Sequence, residues 1–172
     1  RLPILITNLY DDRVFPYRDV RDADLRGRNG LFLIESEKVL RRALRAKIKL
    51  HSVLITPAKY ERVRDEIDFR SEIPIFLASL DLIKKIAGFD VHRGVLAAGY
   101  RSKTFELEVS KHVSSCNKSS RILLLEGVTN VDNLGGLFRT AAGLGWDAIY
   151  LDKTSGDPLY RKVNKGKYGA CL

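Results

Sequence analysis

No methionine occurs among the 172 residues, and tryptophan occurs once. Without an initiator, the N-terminus is expected to be processed, trimmed or not fully given. Cysteine is nearly as scarce. Cys116 and Cys171 stand far apart without zinc-type or dithiol spacing, so they read as free thiols in a reducing compartment. His51, His92 and His112 are equally scattered, and no metal site is expected from them. No apolar run approaches the ~20 residues that span a bilayer, and no charged-then-apolar leader opens the chain. The expectation is a soluble cytoplasmic protein.

What is present in quantity is charge and ordinary apolar content: 45% hydrophobic and 30% charged residues. Lys and Arg number 30 against 21 Asp and Glu, a net charge of +9 and a pI near 9.7. Such a balance favours a polyanionic partner, with RNA, DNA and acidic membrane all open on charge alone. The length suits one ordinary domain or two small ones.

The most informative stretch is Leu123 to Gly145. Ile122-Leu123-Leu124-Leu125 is a short continuous apolar run, as expected of a parallel strand buried on both faces. A polar turn follows, Glu126 to Asn130, and Asp132 is placed to cap a helix beginning near Asn133. Leu134, Leu137, Phe138 and Ala141 form one apolar stripe at helical spacing, and Gly145 is the expected C′ residue. Gly136, Thr140 and Gly143 make a small-residue stripe beside Arg139. Glycine inside a helix costs about 1 kcal/mol relative to alanine. Gly135, Gly136 and Gly143 therefore imply either tight packing or close approach of another molecule. Ala148 to Leu151 predicts a second strand, completing a strand-helix-strand unit. No G-x-G-x-x-G follows the first strand, so a dinucleotide site is not expected.

Upstream, residues 1 to 30 mix Arg13, Arg18, Arg21, Arg26 and Arg28 with five aspartates. They read as solvated surface, with a short helix near Tyr17 to Leu25. Strands are predicted at Leu31 to Ile34, Ser52 to Ile55, Ile75 to Leu77 and Gly94 to Tyr100. Helices are predicted from Ser36 to about Ala46, Pro57 to Glu66 and Leu80 to Ala87. In the first helix Val39, Leu40, Ala43 and Leu44 share one side, and Lys38, Arg41, Arg42 and Arg45 share the other. That basic side is either a solvated face or a phosphate-tracking one. Alternating strands and helices give a compact α/β domain at 1 to 101. Ser102 to Ser120 reads as a linker, and 121 to 172 as a second unit.

The run Asn133-Leu-Gly135-Gly136-Leu-Phe-Arg139-Thr140-Ala141 resembles the first signature of the SpoU/TrmH RNA methyltransferases of the SPOUT class, roughly N-x-G-x-x-x-R-[ST]-A. The resemblance implies methyl transfer from S-adenosyl-L-methionine to a ribose 2′-hydroxyl of RNA. The fold class it implies is α/β, with a small N-terminal α/β RNA-binding domain before an incomplete SPOUT-type, trefoil-knot catalytic domain. Phe32-Leu33-Ile34-Glu35 and His92-Arg93-Gly94-Val95-Leu96-Ala97 are similar to the ribosomal-protein-like substrate-binding domain found in many such enzymes. That likeness favours ribosomal over transfer RNA. Ser36 stands where many relatives carry glycine.

Ser155 to Val163 is similar to the approach to the second signature, and Gly169-Ala170 to its close, with Lys167 where relatives carry serine. The third signature and the main donor pocket are expected beyond Leu172, with Gly169 the one donor-site residue expected here. The resemblance assigns Asn133 to ordering the active-site loop and Arg139 to activating the hydroxyl, and implies a homodimer through the catalytic domain. Glu126 is close enough in sequence to orient Arg139. An arginine stays protonated in water and is a poor proton acceptor, so Arg139 is better suited to gripping a phosphate bidentately. The RNA-contact set is Arg41, Arg42, Arg45, Arg93 and Arg139. The competing reading is a non-catalytic RNA-binding chain lacking the donor site.

Overall fold

Two compact units divide the chain between Tyr100 and Arg101. The structure, a computed structural model, describes residues 2–20, 30–68, 72–91, 93–101 and 121–159.

The first unit carries β1 (Ile4–Leu5), β2 (Leu31–Glu35), α1 (Glu37–Arg45), β3 (Leu50–Ile55), α2 (Pro57–Asp68), β4 (Ile75–Leu77), α3 (Leu80–Ala87) and β5 (Val95–Tyr100). Its strands form one mixed sheet in the order β1-β4-β3-β5-β2. The two antiparallel pairings involve β5, which lies between β2 and β3 with Ala98 opposite both Leu33 and Ser52. The pairs β3-β4 and β1-β4 are parallel. Every residue of β2 is buried, as are the first five of β5, because helices and the N-terminal segment cover the sheet.

Residues 1 to 30 depart from the expected solvated surface. They begin with strand β1 and continue into a 3-10 helix at Asp12–Tyr17, capped by Asp11. Ile6, Val14, Tyr17 and Val20 are buried core residues. The charges around them lie at polar positions between these anchors, which hid the pattern. The expected helix from Tyr17 is not formed in its described part, since Arg18 and Asp19 make a turn; 21–29 lie outside the described residues. The Tyr17 hydroxyl meets Ser52 Oγ at 2.8 Å, and burial raises its pKa.

The second unit carries β6 (Ile122–Leu125), α4 (Val131–Gly143) and β7 (Ala148–Leu151). The strands pair in parallel, Ile122 opposite Ala148 through Leu125 opposite Leu151. Leu125, Leu134 and Phe138 form its core, with Val128, Val131, Leu137, Ile149 and Leu151 packed against them. Burial on both faces of β6 is not found: Leu124 is 73% exposed, because α4 covers one face of a two-stranded sheet.

The helix start is also corrected. Asn130, not Asp132, is the N-cap, since its extended backbone lets Oδ1 accept the N–H groups of Asp132 at 2.9 Å and Asn133 at 3.0 Å. Asp132 lies in the first turn, where its charge complements the helix dipole. At the other end Gly145 has φ 69°, the left-handed conformation expected of C′.

Candidate functional site

In the second unit the signature residues lie along α4 and the turn before it. The apolar stripe faces β6, with Leu134 fully buried. Arg139 is half-buried on the other side, its Nη2 3.9 Å from where a Cβ on Gly136 would sit. A Cβ on Gly143 would meet nothing within 4 Å. Tight packing therefore does not explain Gly136 and Gly143, whose side of the helix beside Arg139 is open, whereas Gly135 is buried with the apolar stripe. Arg139 has no hydrogen bond or ion pair among the described residues. Glu126 and Asn133 are exposed, and no hydrogen bond or ion pair joins either to Arg139. The pairing of Glu126 with Arg139 expected from their nearness in sequence is not formed.

The turn carrying Glu126 is fixed instead by the loop after β7. Asp152 Oδ1 accepts from Gly127 N at 3.1 Å, Ser155 N at 2.9 Å and Ser155 Oγ at 2.6 Å. Its Oδ2 accepts from Thr154 N at 3.2 Å and from the Thr154 hydroxyl. Ser155 Oγ in turn accepts from Val128 N at 3.0 Å, and Gly156 N donates to Val128 O at 2.9 Å. The hydroxyls of Ser155 and Thr154, then the backbone N–H groups, hold the Asp152 carboxyl far below the usual carboxylate range. The two loops at the carboxyl ends of β6 and β7 are thus joined, the place where ligands sit in parallel α/β sheets. Asp152 and Ser155 escaped sequence reasoning because a contact between loops 25 or more positions apart leaves no local pattern.

In the first unit, Arg41 and Arg93 line a shared cavity of about 540 Å³ with Glu37, Lys38, Lys59 and Arg62. Arg42 and Arg45 are not among its lining residues; they lie in the last turn of α1, where positive charge suits the dipole. Arg41 is braced: it donates to Glu37 Oε1 at 3.3 Å and to the Arg62 carbonyl at 2.6 Å, and pairs with Glu66. Glu37 also meets Lys59 at 3.3 Å and Arg62 at 3.5 Å. Burial opposes ionisation of Glu37, but the hydrogen bonds from Lys59 and Arg41, with Arg62 alongside, outweigh it and lower its pKa.

Arg93 stands at the cavity because the turn after it is locked. Gly94 has φ 60°, its carbonyl accepts Thr56 N–H at 3.0 Å, and a Cβ there would lie 2.8 Å from Thr56 Cγ2. Sequence reading found the cations of α1 but not Lys59 and Arg62, which α2 brings beside them only in the folded sheet.

Among the described residues no group of His, Cys, Asp and Glu could hold a metal ion, and no helix is long and apolar enough to cross a membrane. His51 Nδ1 meets Ser52 Oγ at 2.9 Å, and burial lowers its pKa. His92, His112, Cys116, Gly169 and Cys171 lie outside the described residues.

No family model matches the chain. Over 166 residues it is 31% identical to an uncharacterized tRNA/rRNA methyltransferase of Mycobacterium bovis, covering 94% of this chain and 56% of that protein. Over 97 residues it is 33% identical to a 23S rRNA (guanosine-2′-O-)-methyltransferase of Acinetobacter baylyi, covering 55% of this chain and 39% of the relative. The chain thus spans little more than half the length of the Mycobacterium relative. Among solved structures, an rRNA methyltransferase from Sinorhizobium meliloti superposes with a TM-score of 0.76 at 19% identity, covering 97% of this chain and 61% of that one. Its AdoMet-bound form gives 0.75 at 19% identity, covering 96% and 60%. The SpoU methyltransferase AviRb from Streptomyces viridochromogenes with AdoMet gives 0.69 at 15% identity, covering 93% and 60%. These likenesses establish a shared α/β fold.

Proposed function

Because this chain belongs to the SpoU/TrmH family of RNA methyltransferases, we propose that it takes part in methyl transfer from S-adenosyl-L-methionine to a ribose 2′-hydroxyl of RNA, with ribosomal RNA as the substrate class. The observation that carries the reading is Arg139, a cation without an ion pair among the described residues. It sits on the open face of a helix whose preceding turn is fixed at the strand ends.

The donor supplies an electrophilic methyl group on a sulfonium sulfur. The described residues do not by themselves make a pocket for it. The polar groups of Asp152 and Ser155 are engaged in holding the two loops together. What this chain's residues contribute is on the RNA side. Arg139, permanently charged, grips a phosphate beside the target ribose and fixes the 2′-hydroxyl in line for attack. The hydroxyl proton leaves to solvent or to a neutral base, not to Arg139. Asn133, held at the start of α4 by the Asn130 cap, and Glu126 border the same turn and can accept from ribose hydroxyls. Catalysis in this reading is mainly positioning. A homodimer through the second unit belongs to the same proposal, and the exposed Leu124 and open Gly143 support it.

The test is transfer of labelled methyl groups to RNA, with nuclease digestion and mass spectrometry locating the label, alongside calorimetric titration of S-adenosyl-L-methionine. Both are done on this chain and on the product of its complete reading frame. Label on a ribose 2′-oxygen is expected. Absence of both donor binding and transfer in either protein would replace this reading with that of a non-catalytic RNA-binding chain, which the basic cavity of the first unit favours.

A further inference from the structure

The two oxygens of the Asp152 carboxylate do different things. Oδ2 serves only its own loop, accepting from Thr154 N at 3.2 Å and from the Thr154 hydroxyl. Oδ1 reaches across to the turn after β6, accepting from Gly127 N at 3.1 Å while it holds Ser155 by the hydroxyl at 2.6 Å and the N–H at 2.9 Å. Ser155 Oγ, oriented by its donation to Asp152, then accepts from Val128 N at 3.0 Å. Two successive N–H groups of the turn are therefore held by one carboxylate and one hydroxyl that lie 25 and 27 positions away. Gly127 has φ 64°, a joint that is free to swing unless its N–H is held.

The rest of the loop after β7 is fixed as well. Gly156 N donates to Val128 O at 2.9 Å. A Cβ on Gly156 would lie 3.4 Å from Thr129 O and 3.5 Å from Leu134 Cδ2, so the loop rests against both the turn and α4. Asp157 accepts from both terminal nitrogens of the Arg101 guanidinium, at 3.0 and 2.5 Å, and from Leu159 N at 3.0 Å. Paired charge-assisted bonds of this kind fix orientation as well as distance. The loop is thus pinned at both ends.

What this support carries is the start of α4. Val128 stands two residues before Asn130, whose Oδ1 caps Asp132 N and Asn133 N. Glu126 and Asn133 border the supported turn. Arg139 does not depend on it, because Leu134 and Phe138 seat the middle of α4 against Leu125.

We propose that Asp152 and Ser155 are positioning residues for methyl transfer. They hold the 126–130 turn so that Glu126 and Asn133 meet the target ribose, while Arg139 holds the phosphate independently of them. The role rests on the proposed reaction and divides it into a grip, made by α4, and an alignment, made by the clasp. Alignment is the costly part to lose, since a misplacement of about 1 Å can lower a rate about a hundredfold.

The experiment measures methyl transfer to RNA by the product of the complete reading frame and by its Ser155→Ala, Ser155→Thr and Thr154→Val variants. Thermal melting and NMR amide exchange are recorded on the same proteins. Ser155→Ala is expected to lower kcat about ten- to a hundredfold, with KM for RNA within about twofold. Ser155→Thr, which returns the hydroxyl, should regain most of the rate. Thr154→Val, which removes a bond to Oδ2 alone, should turn over within about twofold of the unaltered protein. The Gly127 and Val128 amides should exchange about tenfold faster or more in Ser155→Ala, with the Phe138 amide inside α4 unchanged, a measurement that needs no activity. Normal kcat in Ser155→Ala, an equal loss in Thr154→Val, a change in KM alone, or unchanged exchange at Gly127 and Val128 would overturn the positioning role and leave the proposed reaction standing. An unaltered protein that transfers no methyl group would overturn the reaction and the role with it.

Discussion

The two units answer the same sequence signal differently. Leu31–Glu35 and Ile122–Leu125 are both short apolar runs, yet every residue of β2 is buried while β6 leaves Leu124 73% exposed. In the first unit five strands have cover within the unit. In the second, two strands and one described helix leave Leu124 exposed, while Ile122, Ala148 and Tyr150 on the same face are half-buried. An apolar run therefore says that a strand is meant to be covered, not by what. The same contrast extends to charge: the first unit surrounds Glu37 with cations whose charge that carboxylate partly neutralises, and the second leaves Arg139 without an ion pair among its described residues.

The sharpest way to break the comparison is to truncate one leucine in each unit. Leu40, fully buried under the first sheet, should cost about 3–4 kcal/mol as Leu40→Ala in urea unfolding. Leu124→Ala should cost under about 0.5 kcal/mol. An equally large loss at Leu124 would mean that its face is covered in solution.

Acid should separate the units next. The carboxyl of Asp152 has a lowered pKa in the folded chain. Its contribution to stability is thus complete above the ordinary carboxylate value of ~3.9 and is lost as pH falls through the depressed folded value. Trp146, the single tryptophan, lies in the second unit, so its fluorescence follows that unit. Acid titration should loosen the second unit at the low end of this window, and Asp152→Asn should remove that transition while lowering stability at neutral pH. An unchanged acid transition in the variant would assign it to other carboxylates.

The smallest expected effect concerns Ser36, whose φ is 95°. Few side chains adopt that conformation, at a cost of about 1–3 kcal/mol. Its cap to Val39 N is long, 3.5 Å. Ser36→Gly gives up that weak cap and some chain entropy but relieves the strain, so a net gain of about 0.5–1 kcal/mol is expected in thermal melts of the first unit. A loss would show the cap to outweigh the backbone. The glycine that the family resemblance leads one to expect here has a plain reason in this dihedral.

Periodicity and punctuation made much of the fold legible. The bounds of α3 and β7 agree with those expected from Leu80 to Ala87 and Ala148 to Leu151. The apolar stripe of α4 packs as its spacing predicts. Strand β1 was hidden because a two-residue strand carries no period, and its partner Ile75–Leu77 is far along the chain. Two Asx residues near one helix start, Asn130 and Asp132, could not be ranked as caps without the backbone angles. At the candidate site the sequence pointed to Arg139 and Asn133 through a motif. It could not reveal the clasp of Asp152 and Ser155, or the meeting of α1 and α2 cations around Glu37, because both are made by tertiary pairing alone.

In the proposed function Arg139 is the residue of the second unit that places RNA for methyl transfer. Its most direct test is Arg139→Ala assayed at saturating RNA and donor, with thermal melting as the control. Turnover should fall by about a hundredfold or more, the scale of losing one fixed charged contact in a transition state, while the melting temperature stays unchanged. Near-normal turnover in a folded Arg139→Ala protein would contradict that role.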